Sequence, residues 1–233
     1  MVVSERLIWL HIPKTAGDST LRMFARIPHG WRILDPHTDP QKHGTLADAY
    51  RRAPGSESCR VMINLRRLPD VLLSYFHHMQ RHGPDQHFAN GRRFGELAYR
   101  EYLHWVLEHP ENQTYDWILN HHLGERDPDH CLRVDDLAAS FLDVVGLYHE
   151  IPDALRADAS AIRANVGGYD RGDLTSWFTR DEMTQLYRNC PRWTRSECAV
   201  YGRALVEEIR WDAEPETAQQ KDRVRRASSN SSL

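Results

Sequence analysis

The chain has 233 residues, 40% of them apolar and 27% charged, with seven Trp, nine Tyr and six Phe, which suits one medium-sized globular domain and excludes a collagen-like, coiled-coil or wholly disordered chain. Thirty Lys and Arg against 33 Asp and Glu leave a net charge of -3, so no global positive field points to nucleic acid or an anionic membrane surface, and any anion site must be local. No run of about 18 apolar residues occurs, and Glu5 and Arg6 stand where a secretory signal would need an apolar stretch, so a soluble, cytoplasmic protein without a membrane partner is expected.

Arg6-Leu7-Ile8-Trp9-Leu10-His11-Ile12 is a short apolar, β-favouring run stopped by Pro13, which predicts a buried first strand. A small, polar loop follows over residues 14–20, and helical spacing begins at Leu21. Trp31-Arg32-Ile33-Leu34 reads as a weak second strand, and residues 35–44, with Pro36 and Pro40, as a loop. Cys59-Arg60-Val61-Met62-Ile63-Asn64-Leu65 reads as another buried strand, turning through Arg66-Arg67-Leu68-Pro69-Asp70 into a helix with Pro69 in its first turn. Residues 92–123 carry a helical pattern, Leu132-Arg133-Val134 a short strand, and residues 137–145 a helix behind the acidic start Asp135-Asp136. Helices then dominate: residues 152–164, a capped start at Thr179-Arg180-Asp181-Glu182, and residues 195–210. Strands alternating with helices predict an α/β fold with a central parallel sheet and a helix-rich C-terminal half. After Trp211 no large apolar residue appears until Leu233, so residues 1–211 read as the domain and 212–233 as a disordered polar tail.

The four cysteines, Cys59, Cys131, Cys190 and Cys198, form no CxxC pair and read as reduced thiols. Fourteen histidines include His77-His78 and His121-His122, but neighbours on a helix point about 100° apart, so no metal site is expected.

Two clusters carry chemistry. The first is His11-Ile12-Pro13-Lys14-Thr15-Ala16-Gly17-Asp18-Ser19-Thr20-Leu21. A strand that ends in a tight loop and opens a helix aims several backbone N–H groups at one point, which suits a phosphate or sulfate. Lys14 adds positive charge, Thr15, Ser19 and Thr20 add hydroxyls, and Ala16-Gly17 let the backbone come close to a ligand. It is not a Walker A loop, because GxxxxGK[ST] puts Lys at the end of the loop and Lys14 stands at its start. A plain strand-to-helix turn capped by Asp18 or Ser19 explains the same residues without a ligand. The second cluster is Leu65-Arg66-Arg67-Leu68-Pro69-Asp70-Val71-Leu72-Leu73-Ser74-Tyr75. Its arginines sit at the carboxyl end of a strand, where open α/β sheets hold ligands, and they either grip a second phosphate with Ser74 or pair with a nearby acid.

Taken together, the two clusters resemble the sulfotransferases that use 3′-phosphoadenosine 5′-phosphosulfate (PAPS). Residues 11–21 look like that family's 5′-phosphosulfate loop, whose usual wording is close to HIPKTGGTSL. Residues 65–75 are similar to its 3′-phosphate motif, an Arg eight residues before a Ser, and Arg66 and Ser74 have that separation. The similarity continues more weakly through residues 112–114, 145–150 and 197–201, and covers roughly residues 6–205. Two departures stand out. The family's Pro two residues after the Arg is Leu68 here, with Pro69 one place later, which keeps Arg67 beside the preferred Arg66 as the phosphate ligand. Asp18 replaces a usual Thr, and a carboxylate there must turn away as a helix cap to avoid repelling the cofactor.

The resemblance implies a P-loop-like three-layer fold. It also implies transfer of a sulfuryl group from PAPS to a hydroxyl of a carbohydrate or small-metabolite acceptor, leaving 3′-phosphoadenosine 5′-phosphate (PAP), with no metal. The cofactor-binding set it implies is Lys14, Thr15, Ala16, Gly17, Asp18, Ser19, Thr20, Arg66, Arg67 and Ser74. Such transfer needs a base for the acceptor proton and positive charge at the leaving phosphate. Lys14 suits the second role. For the first, the carbohydrate-type branches commonly use a histidine between the two phosphate motifs, which points to His43, with His37 as runner-up. Two alternatives remain: a nucleotide-dependent phosphotransferase with a divergent loop, and a non-catalytic module that binds PAP or phosphate. Tyr99, Tyr102, Trp105, Trp117, Trp177 and Trp193 either line an acceptor cleft or fill the core.

Overall fold

Apolar runs become the strands that carry the sheet. The computed structural model describes residues 1–34, 43–89, 91–110, 115–162 and 173–211; the tail of residues 212–233 lies outside them. Strands β1 (Val2–Val3), β2 (Leu7–Leu10), β3 (Arg32–Ile33), β4 (Arg60–Leu65) and β5 (His130–Arg133) form one sheet in the order β3-β1-β2-β4-β5. β2, β4 and β5 run parallel, whereas β1 is antiparallel to both β2 and β3. The expected parallel sheet forms the run β2-β4-β5, and β1 and β3 add an antiparallel edge, so the whole sheet is mixed. The cause is local. Ser4 reverses the chain, its N–H donating to the Leu7 carbonyl at 2.8 Å and its Oγ accepting from the Leu7 N–H at 3.0 Å, so that Val2 and Val3 fold back beside β2.

Nine helices flank the sheet among the described residues: α1 (Gly17–Phe24), α2 (Leu46–Arg52), α3 (Leu68–His82), α4 (Tyr99–Glu108), α5 (Tyr115–Leu123), α6 (Leu137–Gly146), α7 (Asp153–Asp158), α8 (Arg180–Asn189) and α9 (Pro191–Tyr201). Alternation along β2 divides the core. Leu7 and Trp9 pack with Phe24 of α1, Phe141 of α6 and Leu155 of α7, while Ile8 and Leu10 pack with the helices on the other face, among them Leu72 of α3 and Trp193 of α9. No helix among the described residues is long and apolar enough to cross a membrane.

The helical pattern over residues 92–123 proves to be a 3-10 turn, Phe94–Glu96, followed by α4 and α5, with residues 111–114 outside the described chain. The capped start at Thr179 is present as a reciprocal pair with Glu182. A similar box, Thr45 with Asp48, opens α2, a helix that the sequence reading passed over because its run is only seven residues long. The expected helix over 195–210 instead spans Pro191–Tyr201 and ends at Gly202, whose φ of 86° stops the helix in the left-handed conformation.

α9 grips the carboxyl end of β4. The Tyr201 hydroxyl donates to the Leu65 carbonyl at 2.9 Å, and Trp193 Nε1 donates to the Arg66 carbonyl at 3.0 Å. Glu197, fully buried, accepts from Arg67 at 3.2 Å, from the Leu68 N–H at 2.8 Å and from the Tyr187 hydroxyl at 2.7 Å. Burial pushes the Glu197 carboxyl above its ordinary range, and these donors oppose that shift. Arg67 also binds Glu208 and the Arg203 carbonyl, each at 2.7 Å, and lies 4.0 Å over the Tyr201 ring. Removing one partner of a buried pair strands the other charge. Arg67→Ala is therefore expected to cost about 3–5 kcal/mol of unfolding free energy, measured as a fall in the urea midpoint.

Candidate functional site

The pairing of Leu10 with Ile63 sets the carboxyl ends of β2 and β4 side by side, roughly 4.8 Å apart. The helix that follows β2 packs on one face of the sheet and the helix that follows β4 on the other. In open α/β sheets, the ends of adjacent parallel strands whose helices pack on opposite faces are where ligands are taken. Both sequence clusters leave the sheet there.

The first cluster is shaped by a residue outside it. Asn64, fully buried on β4, donates from Nδ2 to the Thr15 carbonyl and to Thr20 Oγ1, both at 2.7 Å, and its Oδ1 accepts from Trp9 Nε1 at 2.9 Å. Thr15 Oγ1 donates to the Ile12 carbonyl at 2.8 Å, and Thr20 Oγ1 donates to the Ala16 carbonyl at 3.4 Å. The Thr15 and Thr20 hydroxyls, with no exposed surface, thus brace the loop from within, and what this stretch presents to a ligand is backbone. Lys14 and Ala16 take left-handed conformations, φ 65° and 62°. Such turns point successive N–H groups into one concavity, a shape that receives anions. At Gly17 any Cβ would stand 1.9 Å from the His11 ring, so only glycine lets that ring pack beneath the loop.

α1 begins with Ala16 as its cap, a residue whose side chain has no acceptor for the first turn. The expectation that Asp18 or Ser19 caps it is corrected. Asp18 lies within the first helical turn, where a carboxylate favours the helix dipole.

The two arginines separate sharply. Arg67 turns inward, its guanidinium paired with Glu197 and Glu208. Half-buried Arg66 donates from Nη1 to the Lys14 carbonyl at 3.3 Å, and among the described residues no carboxylate lies within ion-pair reach of it. The two clusters, 52 residues apart, thus meet at Lys14 and Arg66. Ser74 is half-buried on α3.

His43, on the turn that leads into α2, comes to the same loop. Its Nδ1 lies 3.1 Å from the His11 carbonyl oxygen, and its ring meets the His11 ring edge-on at 4.4 Å. His11 in turn stacks on Trp9. A neutral imidazole donating from Nδ1 keeps its lone pair on Nε2, the form a general base needs. His37 lies outside the described residues. Among the described residues, no three His, Cys, Asp or Glu side chains gather as a metal site requires. The sequence reading missed Asn64 and the bracing role of Trp9; the available signal was a lone amide inside the apolar run Val61-Met62-Ile63-Asn64-Leu65. Most of the aromatic residues in question fill the core, Tyr99, Tyr102 and Trp193 being buried and Trp105 and Trp177 packed against it, whereas Trp117 is 62% exposed.

Comparison with protein-family models, characterised proteins and solved structures finds no match to this chain.

Two outcomes follow from this geometry. Asn64→Leu fills the space but leaves the Trp9 N–H and the Thr15 carbonyl without the amide; it is expected to cost about 2–4 kcal/mol and to speed amide exchange in residues 15–19, seen by hydrogen exchange. The second concerns His122, buried beneath residues 43–45. Burial first, and then the neighbouring His121 and His43, bring its pKa down to about 4, against the opposing pull of the Gly44 carbonyl and Asp48. The unfolded chain takes up a proton there as pH falls below about 6.5 and the folded chain does not, so the contribution to stability is complete above that pH and is lost on the way down to about 4. His122→Asn should reduce the loss of stability between pH 7 and pH 4 by on the order of 3 kcal/mol, read from urea titrations at each pH.

Proposed function

We propose that this chain is a PAPS-dependent O-sulfotransferase of P-loop-like architecture, moving a sulfuryl group to a hydroxyl of a carbohydrate or small-metabolite acceptor and releasing PAP. The observation that carries this reading is the meeting of Lys14 and Arg66 above adjacent parallel strand ends. It brings the Arg66 guanidinium, whose acceptor is a backbone carbonyl, to the loop that carries Lys14 and opens α1, and a guanidinium beside a helix N-terminus suits an anionic ligand. The loop fits such a group: its left-handed Lys14 and Ala16 and its Gly17 leave backbone, not side chains, at the mouth of α1.

In this reading the loop amides and Lys14 hold the 5′ end of the cofactor, and Arg66 with Ser74 holds its 3′-phosphate. Lys14 stabilises the charge that builds on the leaving phosphate as the sulfur–oxygen bond breaks. His43 Nε2 takes the acceptor hydroxyl's proton as that oxygen bonds to sulfur. No metal is needed for these roles, because the protein's own cations supply the positive charge. The four free cysteines fit a reducing, cytoplasmic setting.

Ligand-linked melting tests the proposal. Millimolar PAP should raise the Tm of the full chain by several degrees, since occupancy at about 100 times Kd adds about 2.7 kcal/mol. Lys14→Ala and Arg66→Ala should each remove the rise. A rise with ATP and magnesium but none with PAP would favour phosphoryl transfer instead, and no rise with either would end the proposal.

A further inference from the structure

His43 sits on a short turn, residues 43–45, that leads into α2. A side chain on a turn keeps its aim only when the backbone beneath it is fixed. Thr45 is fixed by its box with Asp48. Gly44 packs so closely on Met1 that a Cβ would stand 2.8 Å from Met1 Cε, and its carbonyl oxygen lies 3.4 Å from Nδ1 of His122 on α5. His122 is only 4% exposed, and an imidazole buried to that degree needs a partner for its N–H. An open groove of about 320 Å³ borders α2 and the end of α5, lined by Leu46, Tyr50, His121, His122 and Arg126. A second polar tie, Arg126 Nη1 to the Tyr50 hydroxyl at 2.6 Å, joins the same two segments. These two hydrogen bonds tie the turn and α2 to α5 and the residues that follow it.

We propose that His122 is a positioning residue for His43: its Nδ1–H holds the Gly44 carbonyl, and the turn so fixed keeps the His43 Nδ1–H on the His11 carbonyl and its lone pair on Nε2. The inference rests on the reading of His43 as the base. The ionisable groups around His122 are His121 and His43 on one side and Asp48 on the other. Its lowered pKa keeps it neutral near pH 7, so it acts through its hydrogen bond and adds no positive charge beside His43.

Nitrogen-15 histidine spectra of the full chain at neutral pH read this directly. In the unaltered protein both His43 and His122 should carry their proton on Nδ1, with about a tenfold excess of that tautomer at His43. His122→Leu should bring the His43 tautomers toward parity. His122→Asn, whose Nδ2 stands near the position of the imidazole Nδ1, should restore the excess. A loss of packing alone would affect the Asn variant as much as the Leu variant, so equal perturbation by both overturns the proposal. So does an unchanged His43 in the Leu variant, or a His122 proton found on Nε2 in the unaltered protein. If His122→Leu does not fold, the native spectrum and the Asn variant decide. PAP melting on the same samples separates the two readings: no rise in the unaltered protein removes the sulfotransferase assignment, while the tautomers answer for His122 alone.

Discussion

The amide of Asn64 is the constraint on which the loop after β2 depends. Left-handed backbone costs a non-glycine residue roughly 1–2 kcal/mol, and Lys14 and Ala16 both adopt it. A loop of this length would relax to a cheaper path unless something inside the protein held it. Asn64 reaches from the neighbouring strand to the Thr15 carbonyl and the Thr20 hydroxyl, and its own oxygen is held by Trp9. Each such bond adds only about 1 kcal/mol net, but breaking one in a dry interior costs more than that. The strain at two backbone positions and the bonds of one buried side chain are therefore comparable, and the loop stays in its concave form.

The same strand end shows how a protein separates two adjacent like residues. Arg66 and Arg67 are chemically identical, yet one is half-buried beside Lys14 and the other nearly enclosed among acids. The acids are supplied by Glu197 and Glu208, more than a hundred residues on in the chain, and α9 fixes the backbone between them through Trp193 and Tyr201. Neutralising Arg67 leaves Arg66 as the cation of the pair that faces the loop. A guanidinium whose acceptor is a neutral carbonyl keeps its field available to an incoming anion.

These particulars mark what the sequence could and could not disclose. The runs at residues 7–10 and 60–65 are apolar at every position but Arg60 and Asn64, which is what strands buried on both faces require, and they were legible. So was the strand-loop-helix unit at Lys14, because small and polar residues replace the apolar pattern abruptly. β1 was not legible, since two valines carry no period, and it became a strand only because Ser4 turns the chain back. The choice between Arg66 and Arg67 was equally hidden, because it depends on partners brought close by tertiary folding. Capping at Asp18 differs for a related reason: a carboxylate just before an apolar helix looks like a cap, but the cap stands two residues earlier, at Ala16, and the helix opens at Gly17.

Rigidity is distributed unevenly around the strand ends, and that distribution fits the chemistry proposed. The β4 side is gripped by α9 through bonds of 2.7–3.2 Å to buried partners, as a fixed binding site for charged groups demands. The His43 side is held by two bonds, of 3.1 and 3.4 Å, and borders an open groove. A base must accept a proton and later release it, with the charge on its ring changing each time. Surroundings that hold the ring through two carbonyl oxygens, one directly and one through its own backbone, can follow that change by small shifts of the turn, while the cations across the loop keep their places.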